Sequence, residues 1–176
     1  MTIAYEGGGS GSGSGSGSNH GDEPGVIAAV EWSKLRPPAE MAMPAHGIRS
    51  GARGVVYCAQ GTPERASGGL FFLPHGRRPV PVVTNYYGRP FNSPYCVAQL
   101  GDVLAFTDPA FGYDQDFRSQ PQLPGQAYAF NPQTAELRVL ADGFERPTGI
   151  AFGPGEVAYI ADAGAVRGDG TKVPSG

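Results

Sequence analysis

An internal repeat constrains the fold of this chain more than any other feature of its sequence. Three segments begin with a proline, continue into an apolar run and a tight turn, and end in a β-rich strand; they start at Pro44, Pro94 and Pro147. Self-similarity at a period of roughly 40 to 50 residues is typical of β-propeller blades, in which each copy supplies one antiparallel sheet. The repeat therefore predicts an all-β fold, a β-propeller with about three blades present.

The pattern of short strands supports the same fold class. With 28 glycines, 17 prolines and 40% hydrophobic residues, the chain has the composition of a loop-rich β protein. An antiparallel hairpin with its turn at Asn131-Pro132 is the clearest local element. Seven runs rich in β-branched and aromatic residues alternate with Gly/Pro turns, at 55–59, 70–73, 80–84, 103–107, 126–130, 137–140 and 157–161.

Composition shifts along the chain predict its domain organisation. Residues 7–18 read GGGSGSGSGSGS, which contains no side chain able to bury area and behaves as a flexible coil. We predict an N-terminal stub at 1–6, a flexible Gly/Ser-rich linker at 7–25, a partial β-propeller at 26–166 and a disordered tail at 167–176.

Charge and hydropathy restrict the classes of partner. The net charge of −3 comes from 13 basic and 16 acidic residues without a run of either sign, which predicts no nucleic-acid partner. No apolar stretch approaches the ~20 residues of a membrane span, and the N-terminus lacks the features of a secretory signal, so we expect no membrane partner and a cytoplasmic location. Cys58 and Cys96 are interpreted as small, mostly buried thiols.

Several motifs together resemble a known family. Their order and spacing are similar to those of the fungal-type lactonohydrolases of the regucalcin/gluconolactonase superfamily. The motifs are GRPFNSP at 88–94, FTDP at 106–109, FGY at 111–113, QLPGQAYAF at 122–130 and ADGFERP at 141–147.

The resemblance implies a six-bladed propeller with one divalent cation, usually calcium, in its central channel. It also implies hydrolysis of a small lactone or ester. Calcium prefers six to eight oxygen ligands, and the inner ends of several blades can direct such oxygens to one point. The ion can then polarise the lactone carbonyl and hold the attacking water.

This chain departs from the family at the implied ligand positions. Family members carry Asn where this chain has Tyr95 and Thr148, and Asp where it has Cys96, a soft thiol poorly suited to calcium. Ala45, in the first repeat copy, offers no ligand atom. We therefore predict no metal site in this chain and treat Tyr95 and Thr148 as ligand-binding candidates.

Other candidate residues have a structural alternative. Asp108 closes a strand, where it could be a general base or a turn acceptor. Cys96 could be a nucleophile with His46 as its base. Asn92 and Arg89 precede the second copy, where they could bind a ligand or satisfy loop backbone.

Three functional hypotheses follow. The first is a lactone or ester hydrolase in which the lost ligands have impaired the ancestral activity. The second is a catalytically inactive propeller fragment that acts as a binding or assembly module, since three copies make about half a ring and a homo-oligomer could complete it. The third is a truncated product without function.

Overall fold

The computed structural model describes residues 2–4, 31–33, 45–62 and 68–164. The chain divides into two compact units, Met1–Pro37 and Pro38–Gly176. In the first, β1 (Thr2–Ala4) pairs antiparallel with β2 (Glu31–Ser33). The predicted linker and the predicted disordered tail lie outside the described residues, and the domain boundaries proposed from composition stay predictions.

The second unit begins with blade A, a four-stranded antiparallel meander. Its strands follow chain order, and each pairs with the next. Gly51 and Gly54 are paired at the tight turn between the first two strands, where Gly54 has a φ of +146°. The strands are β3 (Ala45–Gly51), β4 (Gly54–Ala59), β5 (Gly69–Pro74) and β6 (Val80–Val83).

Blade B repeats this topology after the small hairpin β7 (Asn85–Tyr86) and β8 (Arg89–Pro90). A single helical turn, α1 (Phe111–Asp114), opens the long connection between its second and third strands. The predicted turn at Asn131-Pro132 is confirmed, and Asn131 Oδ1 accepts the Gln133 N–H at 2.9 Å. The strands are β9 (Val97–Leu100), β10 (Val103–Asp108), β11 (Gln126–Asn131) and β12 (Glu136–Ala141).

The two blades are followed by a two-stranded sheet, here called the third sheet, which corresponds to the two inner strands of a further blade. Here β13 (Pro147–Phe152) pairs antiparallel with β14 (Ala158–Asp162), and a 3-10 turn at Pro154–Glu156 separates them. The first strands of successive sheets lie side by side, because β9 contacts both β3 and β13. Four-stranded meanders whose first strands surround a common axis are propeller blades, so the predicted all-β propeller fold is confirmed.

The main core lies in blade B and on the neighbouring face of blade A. Tyr128 is fully buried, and its ring lies 5.1 Å from Phe91 and 5.4 Å from Phe106, centroid to centroid. Cys58 and Leu70 belong to the same cluster. Side chains alternate across a strand, and the neighbours of these two residues, Tyr57, Ala59 and Phe71, form a second buried cluster. Burial on both faces explains the near-continuous apolar runs that predicted the strands.

Candidate functional site

The inner strand of blade A and the inner strand of the β13–β14 sheet begin with the same irregularity. In blade A, Ala45 pairs with Ala59 and Ile48 pairs with Tyr57, so two residues of β3 oppose Cys58 alone. In the third sheet, Pro147 pairs with Asp162 and Ile150 with Ile160. Such a bulge turns the start of a strand out of the regular ladder. It makes Ala45 equivalent to Pro147 in position.

Blade B has the same arrangement through hydrogen bonds. The Tyr95 N–H donates to Thr107 O at 2.9 Å, the Thr107 N–H donates to Cys96 O at 3.0 Å, and regular pairing resumes at Val97.

This register corrects the sequence alignment of the repeat. The alignment placed Pro44 opposite Pro94 and Pro147, but cross-strand pairing places Ala45 there. His46, rather than Ala45, therefore shares the position of Tyr95 and Thr148. An alignment on the three prolines misses this shift, because the ladder and its bulge set the register. The end of the blades that carries these three positions is called the channel end.

Two kinds of hydrogen bond join neighbouring inner strands at the channel end. Between blades A and B, the Gly47 N–H donates directly to Tyr95 O at 2.6 Å. Between blade B and the third sheet, the Thr107 hydroxyl donates to Thr148 O at 2.7 Å and accepts the Cys96 N–H at 3.2 Å. The backbones of the three inner positions are thus held next to one another.

A carboxylate fixes the chain just before each of the last two inner strands. Asp108 accepts the N–H groups of Asn92 at 2.9 Å and Ser93 at 2.8 Å, one on each oxygen. Asp162 accepts those of Glu145 at 3.1 Å and Arg146 at 2.8 Å in the same way. Blade A has Ala59 at this position and so lacks the carboxylate.

The environment of Asp108 favours a structural role. Its side chain is fully buried, and burial raises the pKa of its carboxyl to about 7, although the two N–H donors and nearby Arg118 act in the opposite direction. A general base must reach the water or hydroxyl that it deprotonates. Both oxygens of Asp108 instead accept backbone N–H groups, which favours the turn-acceptor role over the general base.

Asn92 and Arg89 occupy different environments. Asn92 is buried, and its amide nitrogen donates to Leu123 O at 3.0 Å, which ties the end of the long connection in blade B. Its Oδ1 is buried without a hydrogen-bond partner. Arg89 is exposed on the small hairpin, paired with Tyr86. The geometry thus favours a loop-backbone role for Asn92, and ligand binding by Arg89 stays a prediction.

Tyr95 and Thr148 are half-buried at the channel end. The Tyr95 ring packs edge-on against Phe111 of α1, with centroids 5.2 Å apart. The Thr148 hydroxyl donates to Ala161 O at 3.2 Å. A phenol and a hydroxyl are groups that can hydrogen-bond a polar ligand.

The two thiols differ in exposure. Cys58 is fully buried, and burial raises its pKa well above the ordinary thiol value, with Cys96 and Asp108 contributing further. Cys58 is therefore a neutral packing group. Cys96 is free and only partly buried. Its backbone lies beside Gly47, but the His46 side chain lies outside the described residues, so the thiol and imidazole pair stays a prediction.

The oxygens at the channel end do not fit calcium. The ion takes six to eight oxygen ligands, whereas Thr148 supplies one hydroxyl, Tyr95 supplies a phenol, and the carboxylates of Asp108 and Asp162 are engaged by backbone N–H groups. Across the described ranges, no group of three His, Cys, Asp or Glu side chains is arranged to hold a metal ion.

Arg118 and Arg146 position the long connection, and sequence reasoning missed both. Arg118 donates to Phe91 O at 2.8 Å, and a Cβ at Gly112 would lie 2.2 Å from Arg118 Cγ. Arg146 Nε lies 3.1 Å from Asp114 Oδ2. The FGY motif indicates this contact only in part. Its glycine, Gly112, lets the Arg118 side chain pack against the backbone, but Arg118 itself lies outside the motif.

Comparisons with known proteins show a shared fold. No family model matches the chain, and no curated protein matches it. A solved gluconolactonase from Xanthomonas campestris, important in glucose secondary metabolic pathways, matches 68% of this chain with a TM-score of 0.59 and 26% identity. An X-ray structure of a protein assigned as a gluconolactonase matches 63% of it with a TM-score of 0.56 and 22% identity. The match spans 40% and 38% of those chains, respectively. No helix in the described part of the chain is long and apolar enough to cross a membrane.

Proposed function

We propose that this chain is a gluconolactonase-like β-propeller protein, of the fungal lactonohydrolase type, that binds a small lactone or ester at its channel end. We further propose that hydrolysis of this ligand is impaired. The observation that carries the proposal is the register of β3, β9 and β13, which brings His46, Tyr95 and Thr148 to equivalent places on neighbouring blades. The fold shared with two solved gluconolactonase-type structures supports the ligand class.

The chemistry of these residues suits recognition better than turnover. The phenol of Tyr95 and the hydroxyl of Thr148 can hydrogen-bond the carbonyl or hydroxyl oxygens of a lactone. Hydrolysis also requires activation of a water molecule, by a base or by a metal ion. Asp108 faces backbone donors, and the available oxygens do not suit calcium, so neither route is assembled from the described residues.

A binding and turnover experiment tests this proposal. The purified chain is titrated calorimetrically with a slowly hydrolysed γ-lactone, and lactone opening is followed with calcium and with a chelator. We expect binding that Tyr95→Phe and Thr148→Val each weaken by about 3- to 10-fold, in line with the loss of one hydrogen bond. We expect no calcium-dependent turnover above the spontaneous rate.

Matched variants control for general effects of the substitutions. Tyr87→Phe alters a tyrosine that is 88% exposed on the small hairpin, and Thr134→Val alters a hydroxyl in the β11–β12 turn. Both should leave lactone binding unchanged. Absence of lactone binding, or equal losses in the control variants, would refute the proposed site, and strong calcium-dependent turnover would refute impairment.

A second candidate function is that of an assembly module. The observation that favours it is the third sheet, in which β14 pairs only with β13 among the described residues. An unpaired strand edge presents backbone donors and acceptors that another strand can bind. In this hypothesis a second copy pairs with the edge of β14, and the propeller scaffold serves association rather than catalysis.

A further inference from the structure

A cleft opens between blades A and B at the end of the blades opposite the channel end. The turns that connect β3 to β4, β9 to β10 and β11 to β12 surround it. Its volume is about 540 Å³, within the range of small-molecule sites. None of the channel-end candidates, Tyr95, Thr148 or Asp108, lines it, so it is separate from the proposed lactone site.

One wall of the cleft is a row of cross-strand neighbours on blade A. Arg49 pairs with Val56, Val56 pairs with Phe72, and Phe72 pairs with Val80. All four residues line the cleft. Neighbouring strands are about 4.8 Å apart, so the apolar part of the row, from Val56 to Val80, extends about 10 Å. The wall therefore offers an elongated apolar surface with a cation at its inner end.

Gly54 shapes this wall where the β3–β4 turn meets it. Its φ of +146° lies in a region that favours glycine, and a Cβ there would lie 2.9 Å from the Phe72 ring and 2.2 Å from Leu73 O. The turn can approach the ring only because position 54 carries no side chain. Leu104 lines the cleft from blade B and is 5% exposed.

The ionisable residues of the cleft carry a small positive net charge. Arg49 and Arg53 lie on the blade A side, and Asp102 lies in the β9–β10 turn of blade B. Within the described ranges, neither arginine forms an ion pair with a carboxylate. Two guanidinium groups against one carboxylate leave a net charge of +1, which matches a monoanion, while Asp102 disfavours a dianion. Guanidinium groups also match the planar shape of a carboxylate.

We propose that this cleft binds a monocarboxylate with an elongated apolar body, such as a medium-chain or aromatic acid. The carboxylate contacts Arg49 and Arg53, and the apolar body lies along Val56, Phe72 and Val80. Binding requires both the charge and the apolar length of the ligand. Solvent screens the attraction between the exposed arginines and a small anion, so apolar contact must add to it.

Calorimetric titration with octanoate tests this site. We expect Arg49→Gln and Arg53→Gln each to weaken octanoate binding by about 10-fold, as expected for loss of a charge-assisted hydrogen bond. Arg138→Gln, an exposed arginine on β12, is the matched control and should leave binding unchanged. Acetate lacks the apolar body, 1-octanol lacks the charge, and inorganic phosphate carries more charge, so all three should bind at least 10-fold more weakly than octanoate.

Two further variants keep the test decisive. Asp102→Asn removes the negative wall and should increase phosphate affinity more than octanoate affinity. Tyr95→Phe should leave octanoate binding unchanged, which separates this cleft from the channel end. Equal binding of octanol and octanoate, a similar loss in Arg138→Gln, or no octanoate binding by the folded native chain would overturn the proposal.

Discussion

At the scale of single residues, Asp108 and Asp162 show how one interaction serves two environments. Each accepts two consecutive backbone N–H groups just before an inner strand, but Asp108 is fully buried while Asp162 is exposed. The N–H bonds stabilise the ionised form of each carboxyl. Burial opposes this at Asp108 and raises its pKa to about 7. The free-energy cost of burying the Asp108 carboxylate in its ionised form therefore depends on pH.

Substitution of Asp108 by Asn tests this balance. The amide accepts with one oxygen only, so a buried N–H loses its partner, and we expect a loss of about 1–3 kcal/mol of unfolding free energy. Asp162→Asn is the matched control at an exposed carboxylate, and it should lower the free energy of unfolding by less than about 1 kcal/mol. Chemical denaturation of both variants and the native chain measures the difference, and equal losses would contradict the role of burial.

The pH dependence has a defined sign. The Asp108 carboxyl has a folded-state pKa of about 7 against an ordinary value of 3.8. Its favourable contribution is therefore complete below about pH 3.8 and is lost as pH rises through about 7. Denaturation between pH 5 and pH 8 should show the stability gap between the native chain and Asp108→Asn narrowing as pH rises. A gap that widens would mean that the two N–H bonds outweigh burial.

At the scale of elements, the inner strands are joined by two different junctions. The β3–β9 junction is direct, because Gly47 allows its N–H to reach Tyr95 O, and a Cβ at this position would lie 2.5 Å from Cys96 Cα. At the β9–β13 junction, the Thr107 hydroxyl instead bridges the two strands, because it accepts the Cys96 N–H and donates to Thr148 O. Cys58, the blade A residue opposite the bulge, is apolar and buried. The β3–β9 junction is thus held by a direct backbone hydrogen bond, whereas the β9–β13 junction is held through the Thr107 side chain.

We expect Gly47→Ala to separate the β3–β9 junction. The added methyl meets backbone atoms that cannot move independently, so the free energy of unfolding should fall by about 1–3 kcal/mol. Gly51→Ala, on the same strand with its nearest atom 3.9 Å away, should change stability by less than about 0.5 kcal/mol. Thermal and chemical denaturation measure both, and a neutral Gly47→Ala would contradict the close contact.

At the scale of the whole molecule, the second unit contains two four-stranded blades and the inner pair of a third among its described residues. Tyr159 on β14 is 59% exposed, and Val157 beside it is 49% exposed. Exposed apolar side chains next to an unpaired strand edge favour association. This is the basis for proposing that a second copy covers the third sheet.

Light scattering coupled to size-exclusion chromatography tests that proposal. We expect the native chain to form a discrete dimer at micromolar concentration, and Tyr159→Lys to shift it to the monomer because charge on an edge strand disfavours pairing. Tyr87→Lys, a matched change on the small hairpin, should leave the dimer intact. A native chain that stays monomeric and folded would exclude association through this edge.

The sequence alone determined the strand pattern and the repeat. All seven β-rich runs correspond to strands, because alternating β-branched and aromatic residues between glycine and proline turns have few other ways to bury their side chains. The sequence also placed Tyr95 and Thr148 at equivalent positions. These features depend on neighbours in the chain, which a linear pattern records.

Tertiary structure decided the features that depend on pairing across space. It moved His46 into the position of Tyr95 and Thr148, because the bulge, rather than the proline, sets the register. It directed Asp108 to the N–H groups of Asn92 and Ser93, and it opened a cleft between Arg49 and Leu104. Hydrogen bonds and cavities between blades join residues far apart in the chain, so the local sequence pattern carries no record of them.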